Sequence, residues 1–204
     1  MKNVVDYYNK TATWSEEFEK ENSHADVLKK FYDCYAEVGT VHPRFLELGS
    51  GAGYNCKYLA GLGAKVVGLD ISEKLVEIAK KNVANSKFFI GDMTESYDVL
   101  GRFDGIVCLE TIIHVDIQKM RTTFLNASKA LKKGGLLLIS ALDGVGKNTK
   151  KSYVQIEGEA YDRDFNNYNA TELAAFASPK LKLVDTWRFA DFGSGWRYYV
   201  FMKQ

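Results

Sequence analysis

Phe45-Leu46-Glu47-Leu48 runs straight into Gly49-Ser50-Gly51-Ala52-Gly53. A short apolar strand signal that ends in closely spaced glycines requires backbone that turns tightly, with a neighbour too close for side chains. The chain is thereby restricted to folds in which a strand passes to a helix through a bare loop. Taken alone, a tight turn without a ligand explains the stretch as well as a binding loop does. The spacing does reject two common fingerprints. In a G-x-G-x-x-G reading, the third glycine position holds Tyr54 in one register and Cys56 in the other, so a dinucleotide fingerprint fails. The Gly-Lys-Ser/Thr ending of a phosphate-cradling loop is also missing.

Strand and helix signals alternate around that loop. Arg44 to Leu48 reads as a strand, and Tyr54 to Leu62 as a helix. Lys65 to Leu69 is a second strand. Glu73 to about Val83 is a helix with Leu75, Ile78, Ala79 and Val83 as its buried stripe. Lys87 to Ile90 and Phe103 to Leu109 are further strands, and Asp116 to Leu131 is periodic through Ile117, Met120, Phe124 and Leu131. Gly134 to Leu142 is apolar, as a strand buried on both faces should be. Upstream, Val27, Leu28, Phe31, Tyr32 and Tyr35 recur at helical spacing, so residues 1–40 are predicted to form a helical cap. Leu142 to Tyr168 reads as a polar loop, and Asn169 with Glu172 opens a short helix through a capping box. LKLVDTWRFA and WRYYVFMKQ then read as a hairpin around DFGSG. The predicted fold is α/β, a Rossmann-like doubly wound seven-stranded sheet. It is mostly parallel, with a C-terminal antiparallel hairpin and an N-terminal helical extension, in one domain over residues 1–204.

Composition narrows the partners. The 204 residues, 46% hydrophobic and 26% charged, suit one globular domain, and no apolar run approaches the ~20 residues of a membrane span. MKNVVDYYNK lacks the apolar core of a secretory signal, so a cytoplasmic location is expected. With 27 basic against 26 acidic side chains, net charge is +1, which offers no broad attraction to nucleic acid or an anionic membrane. Cys34, Cys56 and Cys108 are widely spaced, as are His24, His42 and His114; neither a disulfide framework nor a metal site is expected. Cys56 and Cys108 read as small buried hydrophobes.

The strand ends carry the chemistry. Asp70 ends the second strand about twenty residues past the first glycine, where an acid can hold ribose hydroxyls; a surface acid beside the Ser72 helix cap is the alternative. The third strand runs into Gly91-Asp92-Met93. A carboxylate there can pair with an exocyclic amine while the thioether lies on an aromatic base. Three successive parallel strands thus each end in a possible nucleoside contact.

ELGSGAG, VGLDIS, GDM, FDGIVCLETIIHV and LKKGGLLLIS, in that order, resemble the class I S-adenosylmethionine-dependent methyltransferases. RDFNNYNATEL, with Trp187 and Trp196, is similar to a bacterial small-molecule branch near the tellurite-resistance-type enzymes. The resemblance implies that S-adenosylmethionine is the cofactor. Gly49, Ser50 and Gly51 would pass under its methionine part, with Glu47 steadying the loop or, through water, its amino group. Asp70 would take the ribose and Ile71 would pack on the adenine. Asp92 would face the adenine amine and Met93 its ring. Leu109 and Glu110 would lie beside the sulfonium. Tyr8 and Trp14 would close over the cofactor, with core packing as the alternative for each.

A small-molecule acceptor and a monomer or homodimer are expected, with 143–168 as the acceptor-recognising insertion. His114 is the candidate general base, against the alternative of a helix-start histidine bonded to backbone. Tyr168 and Trp196 are candidates to face the cofactor's positive charge, or simply to pack. Arg163 is a candidate partner for a substrate carboxylate, unless Asp162 and Asp164 neutralise it at the surface. Lys147, Lys150 and Lys151 read as a solvated run. An RNA or protein methyltransferase, or a non-catalytic cofactor-binding module, are the competing functions. The first wants a basic face or an N-P-P-Y-type tetrapeptide, and CLETIIHV stands in its place.

Overall fold

The computed structural model describes residues 2–22, 24–147, 153–177, 179–189 and 195–204. The side chain of Lys147, residues Lys150 and Lys151, and Asp191 to Ser194 of the expected hairpin turn lie outside the described residues. Helices α1 (Val4–Lys10), α2 (Ala12–Glu21) and α3 (Ala25–Ala36) precede the sheet. There follow β1 (Arg44–Leu48), α4 (Tyr54–Gly61), β2 (Lys65–Asp70), α5 (Glu73–Asn82), β3 (Lys87–Ile90) and β4 (Phe103–Cys108). The chain continues through α6 (Met120–Ala130) into β5 (Leu131–Leu142).

Seven strands form one sheet in the order β10-β11-β5-β4-β1-β2-β3, where β10 is Leu181–Trp187 and β11 is Trp196–Lys203. β1 to β5 run parallel, while β11 lies antiparallel between β5 and β10. The chain winds outward from β1 to β3 and then returns to β4, on the other side of β1. At such a reversal the flanking loops part, and ligands bind outside the carboxyl ends of the strands.

Strand periodicity then sends each side chain to a defined layer. Phe45 joins Val27, Leu28, Phe31, Cys56 and Leu59 in the layer under α3 and α4. Leu46 and Leu48 join Met120, Phe124 and Leu173 in the opposite layer. Glu47, between Leu46 and Leu48, must therefore share the face of Phe45, and its carboxylate meets α4. Phe31 anchors that layer, its ring 5.3 Å from Phe45 and 5.5 Å from Tyr35; truncation to Ala would cost ~3–5 kcal/mol.

The predicted polar loop after Leu142 is corrected. It holds two small antiparallel pairs, β6 (Gly146–Lys147) with β9 (Asn166–Asn167) and β7 (Tyr153–Ile156) with β8 (Glu159–Asp162). Glu157 and Gly158 both have positive φ, 51° and 80°, between β7 and β8, as a two-residue hairpin turn requires. In β8 only Tyr161 is buried, against the Tyr7 ring at 5.9 Å, so no apolar alternation announced the strands. Ile117 is also corrected. It is exposed in a 3-10 turn because the Asp116 carboxylate accepts from Gln118 N–H and delays the α-helix until Met120. The capping box forms at α7 (Ala170–Phe176): Glu172 N–H donates to Asn169 Oδ1 at 2.9 Å, and Asn169 N–H donates back to Glu172 Oε2 at 3.3 Å. Among the described residues, no helix is long and apolar enough to cross a membrane.

Candidate active site

Four neighbouring strands end on one cavity of about 470 Å³. Gly49, Ser50 and Gly51 border it after β1, Asp70 and Ile71 at β2, Asp92 and Met93 after β3, and Leu109 and Glu110 after β4. Tyr8 and Trp14 face it from α1 and α2, and His114, Arg163 and Trp196 complete the far wall.

Two predicted contacts do not reach this cavity. Glu47 is buried behind the loop, where Asn55 Nδ2–H and Cys56 Sγ–H donate to its carboxylate, each at 2.9 Å. The alternation of β1 aims it at α4 instead. Tyr168 is 1% exposed and packs edge-on against Phe176 at 6.2 Å, so it does not pair with Trp196 at the cavity. Trp187 sits apart as well, beneath the Lys30 ammonium at 4.3 Å.

The glycine loop has geometric reasons for its composition. Gly49 has φ 72°, and a Cβ there would lie 2.2 Å from Thr111. Gly51 has φ 50°, and a Cβ would lie 2.0 Å from Glu19 Oε1. Asp70 holds the loop in place: Gly51 N–H donates to Oδ2 and Ser72 N–H to Oδ1, both at 2.8 Å. A carboxylate offers about four lone-pair sites, so capacity remains on the cavity side. Ser50 Oγ is buried and has no hydrogen-bond partner among the described residues.

Glu19 was missed from sequence. It reaches over from α2, and Ala52 N–H donates to Oε1 at 3.0 Å and Oε2 at 3.1 Å. A single acid on a short polar helix, far upstream of the loop, carries no spacing signal. Burial pushes Glu19 up to about 8, opposed by the Ala52 amide and reinforced by the charges of Glu47 and Asp70. Burial also pushes Glu47 up to about 7 and raises Asp70. Two desolvated acids, Glu19 and Asp70, therefore line one end of the crevice with Glu47 buried behind them, an environment that favours a cationic ligand. His24 was missed too; its Nε2 lies 3.2 Å from Glu110 Oε1.

The other end is built around His114. Its Nδ1 lies 2.7 Å from the Asp164 carbonyl oxygen and its Nε2 lies 2.8 Å from Tyr8 Oη. A carbonyl only accepts, so Nδ1 carries the proton and Nε2 accepts from the Tyr8 hydroxyl. Burial lowers the imidazole to about 4, with the Arg163 charge acting the same way and the Asp164 carbonyl opposing. His114 is therefore neutral at physiological pH. Arg163 lies with its guanidinium 4.2 Å from the Tyr7 ring centroid and 5.7 Å from that of Phe165.

Fold and site together define a doubly wound α/β protein with an acid-lined crevice at the switch between β1 and β4. S-adenosylmethionine, the cofactor that the resemblance implies, fits what is there. The volume lies within the ~300–1,000 Å³ of small-ligand sites. The glycine loop borders the cavity directly, and Glu19 and Asp70 on its wall suit a molecule carrying ammonium and sulfonium charges.

Residues 45–135 match the family described as a methyltransferase domain. The ubiquinone biosynthesis O-methyltransferase of Brucella ovis is 32% identical over 158 residues, 70% of this chain and 61% of that protein. The like-named protein of Pelagibacter ubique is 34% identical over 164 residues, 78% of this chain and 65% of its own length. The chain thus spans 61–65% of these curated relatives. Among solved structures, an S-adenosylmethionine-dependent methyltransferase from Clostridium acetobutylicum has TM-score 0.73 at 13% identity, covering 96% of this chain and 98% of that one. A magnesium protoporphyrin IX methyltransferase from Synechocystis with bound SAH has TM-score 0.74 at 17% identity, covering 98% of both chains. Likeness at such identities speaks for the fold alone. The family match over residues 45–135 and the curated relatives support a class I S-adenosylmethionine-dependent methyltransferase.

Proposed function

We propose that the protein transfers a methyl group from S-adenosylmethionine to a small-molecule acceptor. What supports this is the convergence of four adjacent strand tips, with their predicted contacts, on one crevice. In this reading Asp70 receives the ribose hydroxyls, Ile71 and Met93 hold the adenine, and Asp92 faces its amine. Gly49, Ser50 and Gly51 pass beneath the methionine part, and Leu109 and Glu110 flank the sulfonium. The cofactor supplies a methyl group already activated on positively charged sulfur. The chain's own residues then chiefly align an acceptor and exclude water. Trp14 and the rest of α1 and α2 form the cap, and Arg163, Asp164 and Phe165 of the insertion face the acceptor. His114 is the proposed base where the acceptor must lose a proton. Its lone pair already accepts the Tyr8 hydroxyl, so that proton reaches it by way of Tyr8. Kinship with the tellurite-resistance-type branch rests on the sequence stretches alone.

The test is incubation with methyl-labelled S-adenosylmethionine and a metabolite panel. Label in a small molecule is expected. Label confined to bulk RNA or protein, or found nowhere, contradicts the reading.

A further inference from the structure

Arg163 is a cation without a counter-charge at the acceptor end of the crevice. Among the described residues, no ion pair joins its guanidinium to a carboxylate. Its sequence neighbours are Asp162 and Asp164, yet the side chain turns inward and lies on the Tyr7 ring at 4.2 Å. Nε is buried without a hydrogen-bond partner among the described residues, and Nη1 has only a long 3.4 Å approach to Tyr8 Oη. Aromatic faces orient a guanidinium and partly compensate its charge, but they satisfy none of its N–H donors. A half-buried cation with a buried, unpartnered Nε–H is costly unless something anionic completes it.

The placement says what that is. Arg163 borders the same cavity as His114, Tyr8 and Trp196, whereas Glu19, Asp70 and Asp92 belong to the strand-tip end. Glu19, Asp70 and Asp92 thus gather where the cationic cofactor is proposed to lie, while Arg163 brings its charge in beside Tyr8, on a wall that also carries Asp116, Lys119 and Asp164. A planar guanidinium whose edge is unfilled suits a carboxylate, phosphonate or phosphate group, which can accept two parallel N–H bonds. We propose that Arg163 is the specificity residue for an acceptor carrying such an anionic group, held in a guanidinium clamp stiffened by Tyr7 and Phe165. This rests on the methyl-transfer reading of the site.

The experiment is calorimetry on the full chain saturated with S-adenosylhomocysteine. Benzoate and phenylphosphonate are titrated in, against benzamide as the uncharged isostere of benzoate. Saturable binding of at least one anion is expected, with none for benzamide. Arg163→Gln should weaken the anion by about tenfold or more, while Arg163→Lys, which keeps charge but loses the fork, should fall between. S-adenosylhomocysteine affinity of each variant reports whether its fold and cofactor end are intact. Binding of neither anion to the loaded protein overturns the proposal, as does anion binding unchanged in Arg163→Gln. Failure of the wild type to bind S-adenosylhomocysteine at all overturns the methyl-transfer reading instead.

Discussion

Tyr8 Oη donates to His114 Nε2 across 2.8 Å, joining the first helix to the turn beyond β4. With Nδ1 committed to the Asp164 carbonyl, tautomer and protonation state are both set. The ring should therefore stay neutral well below its ordinary titration range. Nitrogen-15 shifts of His114 should show Nδ1 protonated at pH 7 and titration near the value of about 4 that burial imposes. A titration midpoint at the unperturbed ~6.5 contradicts this. The linkage has a definite sign. The unfolded ring takes up a proton as pH falls below about 6.5 and the folded one resists, so this contribution to stability is lost progressively between about 6.5 and 4.

Tyr8→Phe leaves that buried Nε2 without its donor while keeping the ring packed. An unsatisfied buried acceptor costs ~1–3 kcal/mol. Urea denaturation at pH 7 should show a loss of that size with the m-value unchanged. A variant as stable as wild type would mean that the hydrogen bond does not form in solution.

Glu19, Glu47 and Asp70 predict a proton signature for cofactor binding. Burial raises all three, the first to about 8 and the second to about 7. A cation brought beside Glu19 and Asp70, with Glu47 behind the loop, favours the ionised forms, so binding near pH 7 should release protons. Calorimetry with S-adenosylmethionine in buffers of different ionisation enthalpy measures this release. It should shrink in Glu19→Gln, which keeps an oxygen for Ala52 N–H but removes the titrating group. Buffer-independent binding enthalpies contradict the assignment.

Much of this architecture was legible beforehand, for identifiable reasons. β1, β2 and β4 are buried almost throughout, so Phe45, Leu46 and Leu48 announced both strand and layers. The strand-tip contacts were legible because the sheet's winding brings positions distant in sequence to one edge. What escaped was chemistry supplied by elements with weak local signals. Glu19 acts through a contact with Ala52 that only tertiary packing creates. The β7–β8 hairpin buries one tyrosine and otherwise reads as polar loop. Tyr168 is the complementary miss: its residue type suited a site, but side-chain direction took it into the interior, and the same burial leaves Glu47 only the loop-steadying half of its reading.

Asp70 is the residue on which the cofactor assignment turns most sharply. Asp70→Ala removes the acceptor for Gly51 N–H and Ser72 N–H together with the proposed ribose contact. S-adenosylhomocysteine affinity should fall by about tenfold or more, consistent with loss of charge-assisted hydrogen bonds. Asp70→Asn, which retains one oxygen acceptor, should lose less. Equal affinities for wild type and Asp70→Ala contradict the ribose assignment.

The most direct measurement is a crystal structure of the protein with S-adenosylhomocysteine. The predicted result is a sugar whose hydroxyls lie within hydrogen-bonding distance of the Asp70 carboxylate, with the base between Ile71 and Met93. The ligand outside this crevice, or Asp70 turned from the sugar, contradicts the account.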